Sequence, residues 1–400
     1  MKIILLDPYF YPCMGGIEKV VYNHAEALAH HGHDVHVVTS YLKYPRGIYS
    51  DLPDQEILQP GFTIHRLQVL LRMPFPGFVY PSRGGVIIPQ LKQTIAALKP
   101  DVIHAHNIGA PAWAYVGVSY ALNQTQKSKP VNFYYSPHLH PSRLTKSAFE
   151  FLNPFLPQKL FYHYLNARPL RQAKRIFVLT PVEQEYLLRE FKAATSTPIS
   201  CLPNGTTPPA LFHQRLSIAL TNVNILFVGR VDDPRKGFAE LLVAMRQIWQ
   251  QLAHYSITLR VVGSISEKTQ THCKAEFGDR IVIRGVLSEL ELEAEYALAD
   301  LFVMPSQYEA FGIPFLEAMR YGVPVLGTQV GGVPYVVPPE TGILIPPGNS
   351  TALIQALSQL IPNHQKRHEL GQKGRAWVKQ FYWSNIIKQL ESFYLEDLSV

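Results

Sequence analysis

Two cations and two acids in the second half of the chain have the types and spacing to hold an anionic, hydroxyl-bearing ligand. Arg230 directly follows the apolar run Asn224-Ile225-Leu226-Phe227-Val228-Gly229, and Lys236 stands six residues on, just before Gly237 and a helical stretch at 238–249. A cation at a strand's end, a second at a helix's mouth and that helix's own N-terminal amides make a cradle for a diphosphate. Glu309 lies in Tyr308-Glu309-Ala310-Phe311-Gly312, after a strand at 301–304, and Glu317 falls in the early turns of a helix that Pro314 opens. Carboxylates so placed accept hydrogen bonds from sugar hydroxyls, and Gly312 lets the backbone approach a ligand closely. The plain alternatives are surface charges for the cations, and acids drawn to a helix N-terminus by its dipole.

The first half offers weaker signals. Gly15 and Gly16 free backbone N–H groups ahead of a helix, a position that suits an anion, with Glu18 just behind them. The turn is not GxGxxG, and alone it is as well explained by a tight connection. His138 and His140 follow a strand at 131–135, and a histidine at a strand's C-terminal end faces a cleft rather than the core. The HxH spacing, repeated at His104 and His106, is compatible with a metal site. No carboxylate or cysteine completes either pair at a plausible spacing, so no metal is expected. The absence of any DxD pair argues against a divalent ion holding a diphosphate.

These residues need a scaffold, and the pattern supplies one. Lys2-Ile3-Ile4-Leu5-Leu6 is an unbroken apolar run of the kind buried on both faces of a parallel sheet. Val20, Val21, Ala25, Leu28 and Ala29 then recur at helical spacing, and Gly32 stops the helix before a strand at 34–39. Further strands read at 62–67, 102–105, 131–135, 176–179 and 199–202, with helical stretches between several of them. After Pro203-Asn204-Gly205 the pattern lapses for about twenty residues and restarts at Asn224, with strands at 258–262, 281–284, 301–304, 324–327 and 342–345. Helices at 350–360 and 364–379 and an aromatic helix near 383–393 close the chain. Alternation this regular predicts two doubly wound, Rossmann-like parallel sheets facing each other across a cleft. The boundaries read as 1–205 for the first domain, 206–380 for the second, and 381–400 for a C-terminal helix packing back towards the first. The stretch 44–81, rich in Pro and Gly, reads as a long surface loop.

Composition fits. Of 400 residues, 47% are hydrophobic and 17% charged, too apolar for a disordered chain. Three scattered cysteines suggest neither disulfides nor a zinc finger. No apolar run reaches the roughly 20 residues that cross a bilayer, so a cytoplasmic or peripheral protein is expected. The net charge of +7 belongs to the first half, with 20 Lys and Arg against 12 Asp and Glu up to Gly205 and 17 against 18 beyond it. Arg143, Lys146, Lys159, Arg168, Arg171, Lys174 and Arg175 interleave with aromatics between Phe149 and Tyr164. Such a surface suits anionic lipid or an anionic acceptor, and equally an ordinary solvated helix face. No nucleic-acid partner is expected.

In this order along the whole chain, the motifs resemble glycosyltransferase family 4, of the GT-B fold. Gly15-Gly16-Ile17-Glu18 and Gly32-His33-Asp34-Val35 look like that family's GGxE helix and GHxV exit. Pro100-Asp101-Val102-Ile103-His104-Ala105-His106, Pro203-Asn204-Gly205, and Phe227-Val228-Gly229-Arg230 with Lys236-Gly237 follow. The run from Ala299 through Glu309-Ala310-Phe311-Gly312-Ile313-Pro314 and Glu317-Ala318-Met319 to Gly331-Gly332 is similar to the family's donor-site signature. Two departures stand out: Ala310 where the family often has Gly, and Val262-Gly263-Ser264 in place of Gly-x-Gly, both tightening the donor loop.

The resemblance implies roles. Arg230 and Lys236 would bind the donor diphosphate, Glu309 the transferred sugar and Glu317 the ribose. Amides near Gly15 and Gly16, and at Phe311, Gly312 and Ile313, would complete these contacts. His138 matches a cleft histidine set against the sugar, with His140 close enough to leave the choice open. The base would sit near Val286, which names neither uridine nor guanosine nor adenosine. Glu18, His140 and Arg143 are acceptor-side candidates. The implied activity is retaining, metal-independent transfer of a hexose-type sugar from a UDP- or GDP-linked donor, without a cofactor, to a glycan, lipid-linked or small-molecule acceptor. A hydrolysing epimerase of the same fold and a non-catalytic nucleotide-sugar-binding scaffold are the alternatives; a dinucleotide oxidoreductase ranks below both, since neither half has GxGxxG.

Overall fold

The computed structural model describes residues 1–12, 15–42, 49–71, 85–86, 88–125, 130–139, 156–192, 196–209 and 221–398. The chain divides into two units. One comprises Met1–Asn204 with Trp383–Val400, the other Gly205–Tyr382.

The first unit is built on strands β1 (Lys2–Leu6), β2 (Asp34–Ser40), β3 (Gln55–Gln59), β4 (Phe62–Leu67), β7 (Val102–His106), β8 (Asn132–Ser136), β9 (Arg175–Val178) and β10 (Ile199–Cys201). Between β4 and β7 in chain order lie β5 (Val69–Leu71) and β6 (Gly85–Val86), a separate antiparallel pair. The main sheet runs β10-β9-β8-β7-β1-β2-β4-β3. Its strands pair in parallel except β3, which lies antiparallel on the edge beside β4. Here the surface-loop expectation for 44–81 is corrected, because within its described part β3 and β5 flank the strand expected at 62–67, which is β4. Gln-Glu-Ile-Leu-Gln carries little apolar signal because an edge strand buries little; Ile57 is 69% exposed. Positions 43–48 and 72–81 lie outside the described residues.

Both faces of this sheet are covered. On one side Ile3, Leu5, Val35 and Val37 meet Val21, Ala25 and Leu28 of the helix Gly16–His30. Trp383, Ile387, Leu390 and Tyr394 of the C-terminal helix Trp383–Leu398 join the same cluster. On the other side Ile4, Leu6 and Ile103 pack against Trp113, Ala114 and Val118 of the helix Pro111–Thr125. Arg175 anchors the end of the C-terminal helix through Asp397, at 3.2 Å.

The second unit's sheet contains β11 (Asn222–Val228), β12 (Ser256–Val262), β13 (Ile281–Gly285), β14 (Leu301–Met304), β15 (Val325–Thr328) and β16 (Gly342–Ile345). All pair in parallel in the order β13-β12-β11-β14-β15-β16. Four of its α-helices start with side-chain caps: Ser266, Asn349 and Asn363 each accept a backbone N–H, and Ser288 forms a capping box with Glu291. A buried ion pair, Arg320 with Glu293 at 3.0 Å, braces two helices, and the same arginine donates to the Thr207 carbonyl at 2.9 Å. Among the described residues, no helix is long and apolar enough to cross a membrane.

Candidate active site

Among the parallel strands of each sheet the order reverses about the first strand in sequence, and the crevice at the C-terminal ends of the two strands flanking that point is where open α/β sheets bind ligands. In the second unit the reversal falls between β11 and β14. Arg230 and Lys236 follow β11, and Glu309 follows β14. Lys236 Nζ donates to Glu309 Oε2 at 2.7 Å, with both side chains largely buried, at 17% and 13% exposure. This pair joins one predicted phosphate cation to the predicted sugar carboxylate, from loops 73 residues apart in sequence.

The backbone explains the approach. Gly237 has φ of 72°, and a Cβ there would collide with the Pro305 carbonyl oxygen. Gly331, also at positive φ, lies against the Glu309 carbonyl, which accepts from Gly332 N at 3.2 Å. The glycine pair therefore holds Glu309 by its backbone, leaving the carboxylate to other partners. Gln307 N donates to the Arg235 carbonyl at 2.8 Å and stitches the two loops together.

Arg230 is half exposed and donates to Asp233 Oδ2 at 2.8 Å. Asp233 also takes two bonds from Arg235, whose guanidinium foremost holds its carboxyl down to about 2. Glu317 lies on the helix Ile313–Arg320, which Gly312 caps in a left-handed conformation with Pro314 in its first turn. Its Oε2 accepts from the fully buried Tyr296 hydroxyl at 2.8 Å. Burial first, and Glu317 next to it, push that phenol well up, so it stays a donor. Phe311 places its ring in the core near Phe381, so only its backbone is free to meet a ligand. Val286, after Gly285, is 78% exposed. Thus Lys236 and Glu309 touch, while Arg230 and Glu317 stand on the same neighbouring elements with partners of their own.

In the first unit the reversal falls between β1 and β7. Gly15 caps the helix Gly16–His30, and a Cβ on it would run into the Glu18 carboxylate, which curls back over the helix start. Beneath lies Asp7, fully buried beyond the end of β1. Desolvation first, then the Glu18 charge, raise its carboxyl well above the usual range.

His138 stands two residues beyond β8 with φ of 47°, an uncommon conformation for a residue with a side chain. Its Nε2 shares a hydrogen bond with His106 Nδ1 at 3.0 Å, and burial holds its imidazole down to about 4. The next residue is pinned: Leu139 N and Leu179 N donate to the two oxygens of buried Glu183, at 2.5 and 2.6 Å. Burial pushes that carboxyl up to about 7. His140 and Arg143 lie outside the described residues. Of the basic stretch, Arg168 stacks over Tyr115 and Arg175 over Phe393, so both serve the interior of this unit, whereas Tyr164 is exposed.

The sequence did not point to Asp7, Glu183, Tyr296 or Asp233, since each acts through a partner far along the chain or through burial. The recurrence of HxH was the available sign for His104 and His106; His24 gave none.

Residues 14–208 match Glycosyltransferase Family 4, and residues 211–377 match Glycosyl transferases group 1. A phosphatidyl-myo-inositol mannosyltransferase of Mycobacterium leprae is 24% identical over 399 residues, spanning 98% of this chain and 96% of that protein. The sucrose-phosphate synthase of Thermosynechococcus elongatus superposes with a TM-score of 0.76 at 23% identity, over 99% of this chain and 98% of that one. HepE of Anabaena in complex with UDP does so with a TM-score of 0.72 at 18% identity, over 99% and 100%. At these identities the two structures attest a shared fold, the GT-B arrangement of two parallel-sheet α/β domains.

Proposed function

The chain belongs to the glycosyltransferases, family 4 in its first half and group 1 in its second, and from that premise we propose that it moves a hexose-type sugar from a UDP- or GDP-linked donor with retention of configuration. The Lys236–Glu309 contact at the reversal point of the second sheet carries this reading. Without donor the lysine and the glutamate satisfy each other. An arriving diphosphate offers the lysine a stronger partner, bonds to phosphate oxygens being charge-assisted, and releases the carboxylate to accept from sugar hydroxyls. One contact thereby couples recognition of the leaving group to positioning of the sugar.

Arg230 and Lys236 offset the charge that develops on the departing phosphate, a role worth roughly 3–4 kcal/mol per preorganised donor. Glu317, steadied by Tyr296, takes the ribose hydroxyls, and the amides at Gly312 and Ile313 meet the sugar or phosphate. His138 orients the sugar, and the leaving phosphate takes the acceptor's proton on the same face, which gives retention. No divalent ion is needed to hold the donor. The acceptor is a glycan, a lipid-linked sugar or a small molecule. The mannosyltransferase relative, named for phosphatidyl-myo-inositol, supports the lipid-linked class, and the location that goes with this reading is the cytoplasm, at the membrane's inner face. The test is incubation with UDP- and GDP-hexoses in EDTA. Release of nucleoside diphosphate and an NMR-assigned retained anomer are expected; strict dependence on added metal, or an inverted product, overturns the reading.

A further inference from the structure

The HxH pair of His104 and His106 lies on β7, beside the parallel strand β8 that leads to His138, and in the fold a further element completes what the pair does not hold alone. His104 and His106 are inward residues of β7, while His24 projects from the helix Gly16–His30. One nitrogen from each of these three rings lies within 4.8 Å of the other two, and all three residues are at most 2% exposed.

The hydrogen bonds around them point to a ligand. Among the described residues, both ring nitrogens of His24 and Nε2 of His106 are buried without a partner. An unmet polar atom in an apolar interior costs about 1–3 kcal/mol, and three in one place call for an occupant. One nitrogen of His106 and one of His104 are held as those of metal-bound histidines are, each by a hydrogen-bonding partner. His106 Nδ1 meets His138 Nε2 at 3.0 Å, and His104 Nδ1 meets the Tyr394 hydroxyl at 2.6 Å. His104 Nε2 meets Ser136 Oγ at 2.7 Å and would give up that bond to ligate.

We propose that His24, His104 and His106 form a binding site for a borderline divalent cation of the zinc type, with Tyr394 and His138 orienting two of the ligand rings. Imidazole nitrogen suits this class of ion, and bond lengths of about 2.0–2.1 Å require each nitrogen to move inward by less than about 1 Å. No acid or thiolate takes part, so the site carries the ion's full charge and favours an anionic ligand in the remaining position. The site lies wholly in the first unit and shares only His138 with the donor reading; its three ligand histidines have no part in that reading, and no step of sugar transfer passes through the ion.

The experiment uses the full chain, stripped with a chelator, desalted, loaded with Zn(II) and desalted again. Elemental analysis should find one equivalent retained, Co(II) in its place should give visible d–d absorption, and loading should raise Tm. His24→Gln and His24→Phe should each weaken binding at least tenfold with the circular dichroism spectrum kept, whereas His33→Gln, at the part-buried pair with Glu391, should retain the ion. Absence of stoichiometric binding, or an equivalent retained by both His24 variants, overturns the proposal. If both His24 variants fail to fold, the Co(II) spectrum of the unaltered chain decides, since no d–d bands means no such site.

Discussion

The second unit presents its working groups charged and in mutual contact at the mouth of its sheet, whereas the first sinks neutral histidines beneath the corresponding ends of its own strands. Lys236 with Glu309 and Arg230 with Asp233 are ion pairs whose partners are poised to exchange for a charged ligand. His24, His104, His106 and His138 have their imidazoles held well below the ordinary value, by desolvation above all. The same topological position thus supports two chemistries. Loops that stay near water can keep and trade charge, and a cluster under the sheet's rim must discard it.

Four perturbations sharpen or break this contrast. The largest effect belongs to Lys236→Ala, which should lower kcat/KM about 100- to 1000-fold and, because Glu309 is left largely buried without its cation, also lower Tm while the chain still folds. Steady-state kinetics and calorimetry check it, and a normal kcat/KM would remove the lysine from the donor site.

Acidification comes next and should act on the first unit. An unfolded imidazole takes its proton near 6.5, while folded His24 resists to about 3 and His138 to about 4. Below pH 6.5 the unfolded chain therefore binds more protons, and stability is lost by roughly 1.4 kcal/mol per pH unit for each such ring. Glu183 has the opposite sign: with its folded carboxyl near 7 against 4.5 unfolded, it adds stability as pH falls between those values. Histidines outnumber such acids, so the metal-free first unit should open first on acidification, measured by hydrogen exchange. Earlier opening of the second unit would reverse the contrast.

Gly237→Ala tests how closely the charged loops must approach, since its φ is positive and a Cβ meets the Pro305 carbonyl. A loss of about 1–3 kcal/mol in the stability of the second unit is expected in denaturant unfolding. The smallest effect is that of Tyr296→Phe, which frees Glu317 of one bond. Donor KM should rise several-fold, equivalent to about 1 kcal/mol, with kcat little altered; an unchanged KM would leave Tyr296 a purely structural residue.

How much was legible in the sequence follows from the same contrast. Apolar runs such as Lys2–Leu6 and Leu301–Met304 declared buried parallel strands, because such strands are apolar on both faces. Pro314 and Gly312 announced a helix start, and the cluster from Glu309 to Glu317 was readable because one loop and one helix carry all of it. Strand β3 escaped notice because an edge strand leaves little apolar trace, and Glu183 looked like any acid of a helix's first turn until burial gave it two amides to hold.

By itself, then, the sequence determined what is encoded locally: two α/β repeats, the caps that begin helices, and the residue types of a diphosphate and sugar site. Only the tertiary structure decided which of those residues meet. That Lys236 reaches Glu309, that Tyr296 reaches Glu317, and that His24 joins two histidines of β7 depend on strand order and burial. Such contacts join residues far apart along the chain, and local spacing carries no record of them because the sheet, once closed by its long-range parallel pairings, sets the distance.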